Sequence, residues 1–474
     1  MSLKNYVVEI EPGKPFENCK LERKKYSDVL TNIVSNYQDG FVMAINNRWG
    51  TGKTTFVKMW EQDLKDQNFQ TVYFNAWEND FEDNPLTALM GELKTLTNHE
   101  TEPKFQKALK NAAILSKHIA PAIAQALVDK YVIDTKNIKE VIVSATKGLT
   151  AIFENDVNNY ENKKLGIINF RSSLGKFIAD TNEGKPIIFI VDELDRCRPN
   201  YSVSILEQIK HFFSVPNIVF VLSIDKKQLG NAIKGVYGSD KIDSNEYLRR
   251  FIDVEYSIPK PPDDLFYKYL FNKLNFEEFF ESSERKKHPE LVDDKVRFLN
   301  TCGLLFNNSN IALRQQERIL VLSRLSLRSF QFNNYLFPSV YLLLNFIKIL
   351  QEDFYQEIRN KKLILQELQE KLYNIFSDPL NERKRREVMF LEVYLLMFYN
   401  NYKYENHNRT ELYDRGKTFN DEDKKLNIHS MFGTNYDSDF MTVILSIERA
   451  NHNASSLSLE HFLNKIDLLE PIKI

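Results

Sequence analysis

Cysteine is scarce in this chain: Cys19, Cys197 and Cys302 are the only three among 474 residues. Odd in number and widely spaced, they argue against a disulfide framework, supply no zinc-binding spacing and fit a reducing compartment. Excess charge is also lacking. With a formal net charge of −2, global electrostatics support neither a nucleic-acid partner nor an acidic membrane surface, so either would depend on a local patch. Membrane-length apolar runs are missing as well. His118 to Val128 is uncharged but too short to span a bilayer and contains Pro121. Ser329 to Ile347 is interrupted by Gln331, Asn333, Asn334, Pro338 and Asn345, and reads as a buried core helix from Pro338 onward. Met1 to Lys20 alternates polar and apolar residues, without the apolar stretch of a signal peptide. The expectation is a cytoplasmic protein with no transmembrane helix.

What is present is globular composition, 43% hydrophobic and 27% charged, at a length that suits two or three domains. The most informative stretch is INNRWGTGKTT, residues 45–55, which follows the apolar run Phe41 to Ile45 and opens a helix-prone segment. Strand, tight glycine-bearing loop and helix form the context in which Gly-Lys-Thr marks a phosphate-binding loop. Gly50 and Gly52 let the backbone N–H groups of Asn47 to Thr55, including those of Trp49 and Thr51, curl around phosphate at a positive helix end. Lys53 would reach the outer phosphates, and the Thr54 hydroxyl would bind magnesium. Asn47 stands where G-x-x-x-x-G-K-[ST] has its first glycine. Asparagine tolerates left-handed backbone, so the loop is expected to survive.

A second stretch supports the first. Ile187 to Val191 is an apolar run ending in Asp192-Glu193-Leu194-Asp195-Arg196, which reads as a buried parallel strand with carboxylates at its exit. Asp192 would hold magnesium, and Glu193 would orient or deprotonate the attacking water. Asn217 to Asp225 reads as another buried strand. Ser223 or Asp225 could sense the outer phosphate, although Asp225 equally suits the cap of a helix starting at Lys226. Thr71 to Phe74 reads as a strand carrying Asn75 and Trp77 at its ligand-binding end. Arg249 and Arg250 precede a short last strand and are candidates to stabilise charge on a transferring phosphoryl group; solvated or ion-paired arginines are the competing reading.

The expected organisation is an N-terminal helical lead-in (1–40), with Leu21 to Tyr26 as one wall of a base pocket or simply packed on the sheet. A nucleotide-binding core (41–100 and 171–260) follows, interrupted by a helical insertion (101–170) that projects from it and offers a partner surface. The proline cluster Pro259-Lys260-Pro261-Pro262 marks a boundary, beyond which come a helical lid (261–330) and a helical C-terminal domain (331–474). The basic cluster Glu382 to Arg386 reads as a solvated helix start.

Seven segments, in order, resemble the KAP family of P-loop NTPases: RWGTGKTT, FNAWEND, IIFIVDELDRCRP, EQIKHFF, VFVLSIDKKQL, EYLRRFIDVEYSIPKP and NIALRQQERI. The resemblance runs over roughly residues 20 to 325. It implies an α/β P-loop core of the ASCE division, a parallel sheet of order 5-1-4-3-2, a helical lid, and ATP with magnesium as ligands. By the same resemblance Lys53 and Thr54 are the phosphate and magnesium residues, Asp192 the carboxylate ligand and Glu193 the catalytic acid/base. Arg314 sits where a lid arginine would meet the nucleotide. Asn47 and Glu193 depart from the usual residues, and the soluble-looking insertion departs from members that carry membrane helices there.

Family members include animal scaffolds and bacterial phage-defence proteins. The expectation is therefore an ATPase that drives assembly or conformational change in bacterial anti-phage defence, with self-association or a protein effector as its partner. A nucleotide-gated scaffold with little hydrolysis is the alternative. A kinase is a third reading, for which no second substrate site is visible.

Overall fold

The computed structural model describes residues 9–37, 39–81, 85–119, 152–181, 185–212, 215–262, 264–308, 311–376, 380–404, 409–414, 425–432, 437–450 and 457–470. They fall into two compact units divided between Pro259 and Lys260, within the proline cluster, where fixed φ and missing N–H donors discourage continuation of either strand or helix.

The first unit is a five-stranded sheet. Its strands are β1 (Phe41–Asn46), β2 (Thr71–Asn75), β3 (Ile187–Asp192), β4 (Ile218–Ile224) and β5 (Val254–Tyr256). All pair in parallel in the order β2-β3-β4-β1-β5, which is the expected 5-1-4-3-2 read from the other edge. The two acids ending β3 therefore lie one strand away from β1, across β4. In register, Asp192 faces Ser223 and Asn75, and Ile45 faces Ser223.

Both faces of the sheet are covered, which is why β3 and β4 are buried along their whole length. Helices α1 (Lys24–Asn36) and α2 (Lys53–Asp66) cover one face. There Leu30, Val34, Phe56, Val57 and Trp60 pack against Met43, Ile45, Ile188, Ile190, Val219 and Val221. The alternate strand residues Val42, Ala44, Phe74, Phe189, Phe220 and Leu222 face the opposite layer. That layer is built from α3 (Pro85–Lys94), α4 (Glu102–Ile119), α5 (Ile152–Thr181), α6 (Pro199–Phe212) and α7 (Lys226–Tyr237). Period-two alternation then puts Asp192 and Ser223 on the α1–α2 side, the side from which the loop before α2 approaches.

Residues 120–151 of the expected insertion lie outside the described residues. Its ends are part of the core rather than a projection from it: Phe105, Ala108, Leu109 and Ala112 of α4 and Phe170, Leu174 and Phe177 of α5 join the sheet's hydrophobic cluster. Lys104 pairs with Asp180, and the Phe105 and Phe177 rings meet at 5.2 Å.

Among its described residues the second unit is helical apart from a two-residue strand pair at Tyr413–Asp414 and Lys425–Leu426. Residues 261–330 and 331–474 were expected as separate bodies, but they share one hydrophobic core running from Tyr267 to Ile466. The cause is the helix Pro338–Leu350, buried continuously from Val340 to Ile347. A helix apolar on all sides must be surrounded, and elements from both segments surround it. Among the described residues, no helix is long and apolar enough to cross a membrane.

Candidate functional site

The loop between β1 and α2 has its left-handed residues at Gly50 (φ 78°) and Gly52 (φ 82°), where side chains other than glycine are strained. Asn47 has no positive φ, so its tolerance of left-handed backbone is not what lets it replace glycine. Its side chain instead pairs with Ile258: Nδ2 donates to the Ile258 carbonyl (2.9 Å) and Oδ1 accepts from the Ile258 N–H (2.8 Å). This extends the β1–β5 pairing by one side-chain step and anchors the start of the loop to the strand beside it.

Lys53 opens α2 and is buried. Its Nζ donates to the carbonyls of Asn47 (2.6 Å) and Arg48 (3.3 Å), so the ammonium lies across the concave side of the loop. Burial lowers its pKa, against the opposing pull of Asp195, Asp225 and Asp192. Thr54 and Thr55 follow in the first turn, both half-buried. Thr51 braces the loop by donating its hydroxyl to the Arg48 carbonyl (2.8 Å).

Trp49 does not present its indole to the loop interior. Nε1 donates to Asp195 Oδ2, and the backbone N–H donates to Asp225 Oδ2 (3.2 Å). Asp225 also accepts from the N–H groups of Lys227 (3.1 Å) and Gln228 (3.3 Å), capping α7. Both oxygens of Asp225 are thus engaged in joining the cap to the loop, a positioning role. Ser223, the other sensing candidate, is fully buried beside Asp192, and among the described residues its Oγ has no hydrogen-bond partner.

Asp192 is 1% exposed. Its Oδ2 accepts from the Tyr73 hydroxyl (2.9 Å) and its Oδ1 from the Glu193 N–H (2.9 Å). Burial first, and the neighbouring carboxylate second, hold the Tyr73 phenol far above its ordinary value, so it remains a donor. Glu193 takes a left-handed conformation (φ 60°), a strain of about 1–3 kcal/mol of the kind that collects at working sites. Its Oε1 pairs with Arg196 Nη1 at 2.9 Å, and the Arg196 guanidinium lies over the Trp77 ring at 5.8 Å. Trp77 follows β2, so the pair draws Glu193 toward the β2 side of the sheet. Burial raises the Glu193 pKa; Arg196 opposes this, while Asp192, Asp195 and Glu78 add to it. Asn75 Oδ1 accepts from the N–H groups of Trp77 (3.2 Å) and Glu78 (3.3 Å), fixing the turn that carries Trp77.

Two expected residues do not bond to the loop. Arg249 and Arg250 are exposed, Arg249 pairs with Glu246 at 3.0 Å, and among the described residues neither bonds to the loop. Arg314 is exposed in the first turn of the helix Leu313–Leu327, in the second unit. Conversely, nothing in the sequence signals what Tyr73 and Arg23 do here, Arg23 being expected only as part of Leu21 to Tyr26, a pocket wall or sheet packing. Tyr73 shares its sheet face with Asp192 by strand alternation, a signal available only once the β2–β3 register is known. Arg23 donates to the Gly52 carbonyl (3.0 Å) and the Thr51 carbonyl (2.7 Å), from a position that no motif spacing marks.

The donor set suits a hard cation. Asp192 and Thr54 offer a carboxylate and a hydroxyl, oxygen ligands of the kind magnesium takes together with substrate phosphates. Among the described residues no cluster of three or more His, Cys, Asp or Glu could cage a metal without such help.

The model of the KAP family P-loop domain matches residues 23–370. Among solved structures, the Aeropyrum pernix ORC2 protein (ADPNP–ADP complexes) is similar at 11% identity and a TM-score of 0.33, over 83% of this chain and 76% of that one. A DNA replication initiation factor is similar at 12% identity and a TM-score of 0.31, over 97% and 98%. Scores this low bear no functional argument. No curated protein matches the chain.

Proposed function

The chain belongs to the KAP family of P-loop NTPases, and on that premise we propose that it binds ATP with magnesium and hydrolyses it to drive a change of conformation or assembly. The observation that carries this reading is the joint placement of a phosphate loop with a buried lysine and, one strand removed, a buried aspartate followed by a strained, half-buried glutamate. The N–H groups of the loop and the start of α2 would hold the phosphates, and Lys53 would exchange the carbonyls of Asn47 and Arg48 for phosphate oxygens. Magnesium, held by Thr54 and Asp192, would neutralise phosphate charge. Glu193 would then turn from Arg196 and accept a proton from the attacking water. Asp225 keeps the loop and the start of α7 in register, and Ser223, buried beside Asp192, would meet the outer phosphate side of the site.

Arg249 and Arg250, exposed and unattached to their own loop, are offered to a neighbouring copy. Self-association is therefore the proposed route to a complete site, with a protein effector as the alternative partner. The biological setting we propose, bacterial anti-phage defence, follows where family members occur. It would show as plaque reduction that Lys53→Ala abolishes.

The direct test is ATP turnover across protein concentrations. Glu193→Gln is expected to bind ATP and lose about 100-fold or more in kcat, Lys53→Ala to lose binding, and wild-type specific activity to rise with concentration. A second reading, a nucleotide-gated scaffold with little hydrolysis, is favoured by one observation: Glu193 is engaged by Arg196. Tight ATP binding with turnover no faster than that of Glu193→Gln at any concentration would select it.

A further inference from the structure

Arg23 stands just before α1 and is 4% exposed. A guanidinium buried this far carries a heavy desolvation cost unless its N–H groups are used. Two of them are, and both bonds go to the phosphate loop: Nη2 to the Thr51 carbonyl at 2.7 Å and Nη1 to the Gly52 carbonyl at 3.0 Å. Nε is buried with no partner among the described residues. Among the described residues no carboxylate pairs with Arg23, and burial lowers its pKa against the opposing pull of Cys19 and Tyr26. The preceding residue, Glu22, is left-handed (φ 53°), a strained turn that sends the next side chain inward.

The geometry of the peptide unit gives these bonds a consequence. Each peptide is planar and trans, so its C=O and N–H point in opposite directions. The Thr51 carbonyl belongs to the peptide whose N–H is that of Gly52, and the Gly52 carbonyl to the one whose N–H is that of Lys53. Holding the two carbonyls from outside therefore aims the Gly52 and Lys53 N–H groups the opposite way, toward the side where phosphate is to bind. The Gly52 carbonyl is also held by the Phe56 N–H (3.1 Å) at the start of α2, whereas the Thr51 peptide, flanked by glycines, would otherwise rotate at little cost. A Cβ on Gly52 would meet Arg23 Nη1 at 2.9 Å, so with a larger residue there the guanidinium would have to shift.

We propose that Arg23 is a positioning residue of the phosphate loop, a clamp that sets the peptide orientations needed for nucleotide binding and makes the N-terminal segment part of the site. This deepens, and rests on, the reading of the loop as the ATP site. The segment is firmly attached: Gly13 N–H donates to Asp66 Oδ2 (2.9 Å), Lys24 pairs with Asp63 (3.0 Å), and Phe16 meets Phe56 edge-on at 6.3 Å. Movement of residues 9–23 would thus be felt at the loop's own carbonyls through Arg23.

The test measures Mg·ATP affinity by calorimetry, with KM and kcat, for full-length wild type, Arg23→Ala, Arg23→Lys and Thr31→Val. Thr31 accepts from the Trp60 indole (2.9 Å) in the same α1–α2 contact, so its loss loosens that contact while leaving the clamp in place. Arg23→Ala is expected to weaken ATP binding roughly 10- to 100-fold, with the loss carried by Kd and KM. Arg23→Lys, which keeps one donor, should fall between it and wild type, and Thr31→Val should bind as wild type does. Equal affinity in all four proteins overturns the proposal, as does a loss in Thr31→Val matching that in Arg23→Ala. Should wild type itself bind no ATP, the reading of the loop as a nucleotide site falls and the clamp with it.

Discussion

Replacing Tyr73 by phenylalanine removes one oxygen and nothing else. In the wild type that oxygen donates to Asp192 Oδ2 at 2.9 Å, while the other carboxylate oxygen accepts from the Glu193 N–H. Asp192 is 1% exposed, so bulk water cannot easily replace the lost donor. A hydrogen bond to a charged group under these conditions is worth about 1.5–3 kcal/mol. For a unit of this size each kcal/mol moves a melting transition by about 2–4 °C, so the first unit of Tyr73→Phe should melt roughly 3–12 °C below wild type in EDTA. The site's proposed chemistry adds a second, opposite expectation. If Asp192 binds magnesium, the cation supplies the charge compensation that the phenol supplied, and the deficit should shrink when Mg·ATP is present. Differential scanning fluorimetry in EDTA and in Mg·ATP reads both. An unchanged melting temperature in EDTA would refute the energetic argument, and an equal deficit with and without Mg·ATP would refute the metal assignment.

Other outcomes follow from the same contacts. Arg196→Ala removes the partner that draws Glu193 toward Trp77; because Arg196 is 31% exposed, the pair holds that pose by about 1 kcal/mol, so kcat at saturating ATP should rise up to about fivefold, as a coupled turnover assay would show. Burial pushes the Cys197 thiol up to about 12, helped by Asp80, Asp195 and Glu193, and raises that of the buried Cys302; native protein treated with iodoacetamide at a pH of about 8 should therefore be alkylated at half-exposed Cys19 and spared at the other two, by mass spectrometry. Burial also raises the phenols of Tyr341 and Tyr355, and pushes that of Tyr399 up to about 12. A raised folded-state pKa contributes stability that is complete below the unfolded value of about 10 and is lost as pH climbs past it, so the urea midpoint should hold from neutrality to pH of about 9.5 and fall by about 11.

Sheet and loop were legible because their signals are local. Ile187 to Val191 and Ile218 to Ile224 are unbroken apolar runs, and such runs suit strands covered on both faces. The phosphate loop announces itself through glycines whose left-handed backbone is now visible at Gly50 and Gly52. The division of the helical half was not legible: Pro338 onward reads as a buried core helix, and it is one, but nothing local in the sequence tells that helices from both sides of residue 330 pack on it in one core. For Arg249 and Arg250 a catalytic and a solvated or ion-paired reading stood side by side, because an exposed arginine and a catalytic one have the same sequence signature; both face solvent, and Arg249 pairs with Glu246.

The side chains that hold the site escaped notice for a different reason: each acts on backbone or carboxylate atoms far away in sequence. Arg23 reaches the carbonyls of Thr51 and Gly52, Tyr73 reaches Asp192, and Asn47 pairs with Ile258. No periodicity or motif spacing encodes such distances; they exist only once parallel pairing has fixed the register. Asn47 shows the logic most clearly. As a substitute for glycine it looks like a weakness of the loop, yet its side chain bonds to β5's continuation at both Ile258 N–H and C=O. A glycine there would keep the backbone's freedom and lose both bonds. The loop's fixed shape is therefore supplied from two sides, by Asn47 at its entry and by Arg23 at its exit, leaving the glycines between them to provide only the curvature.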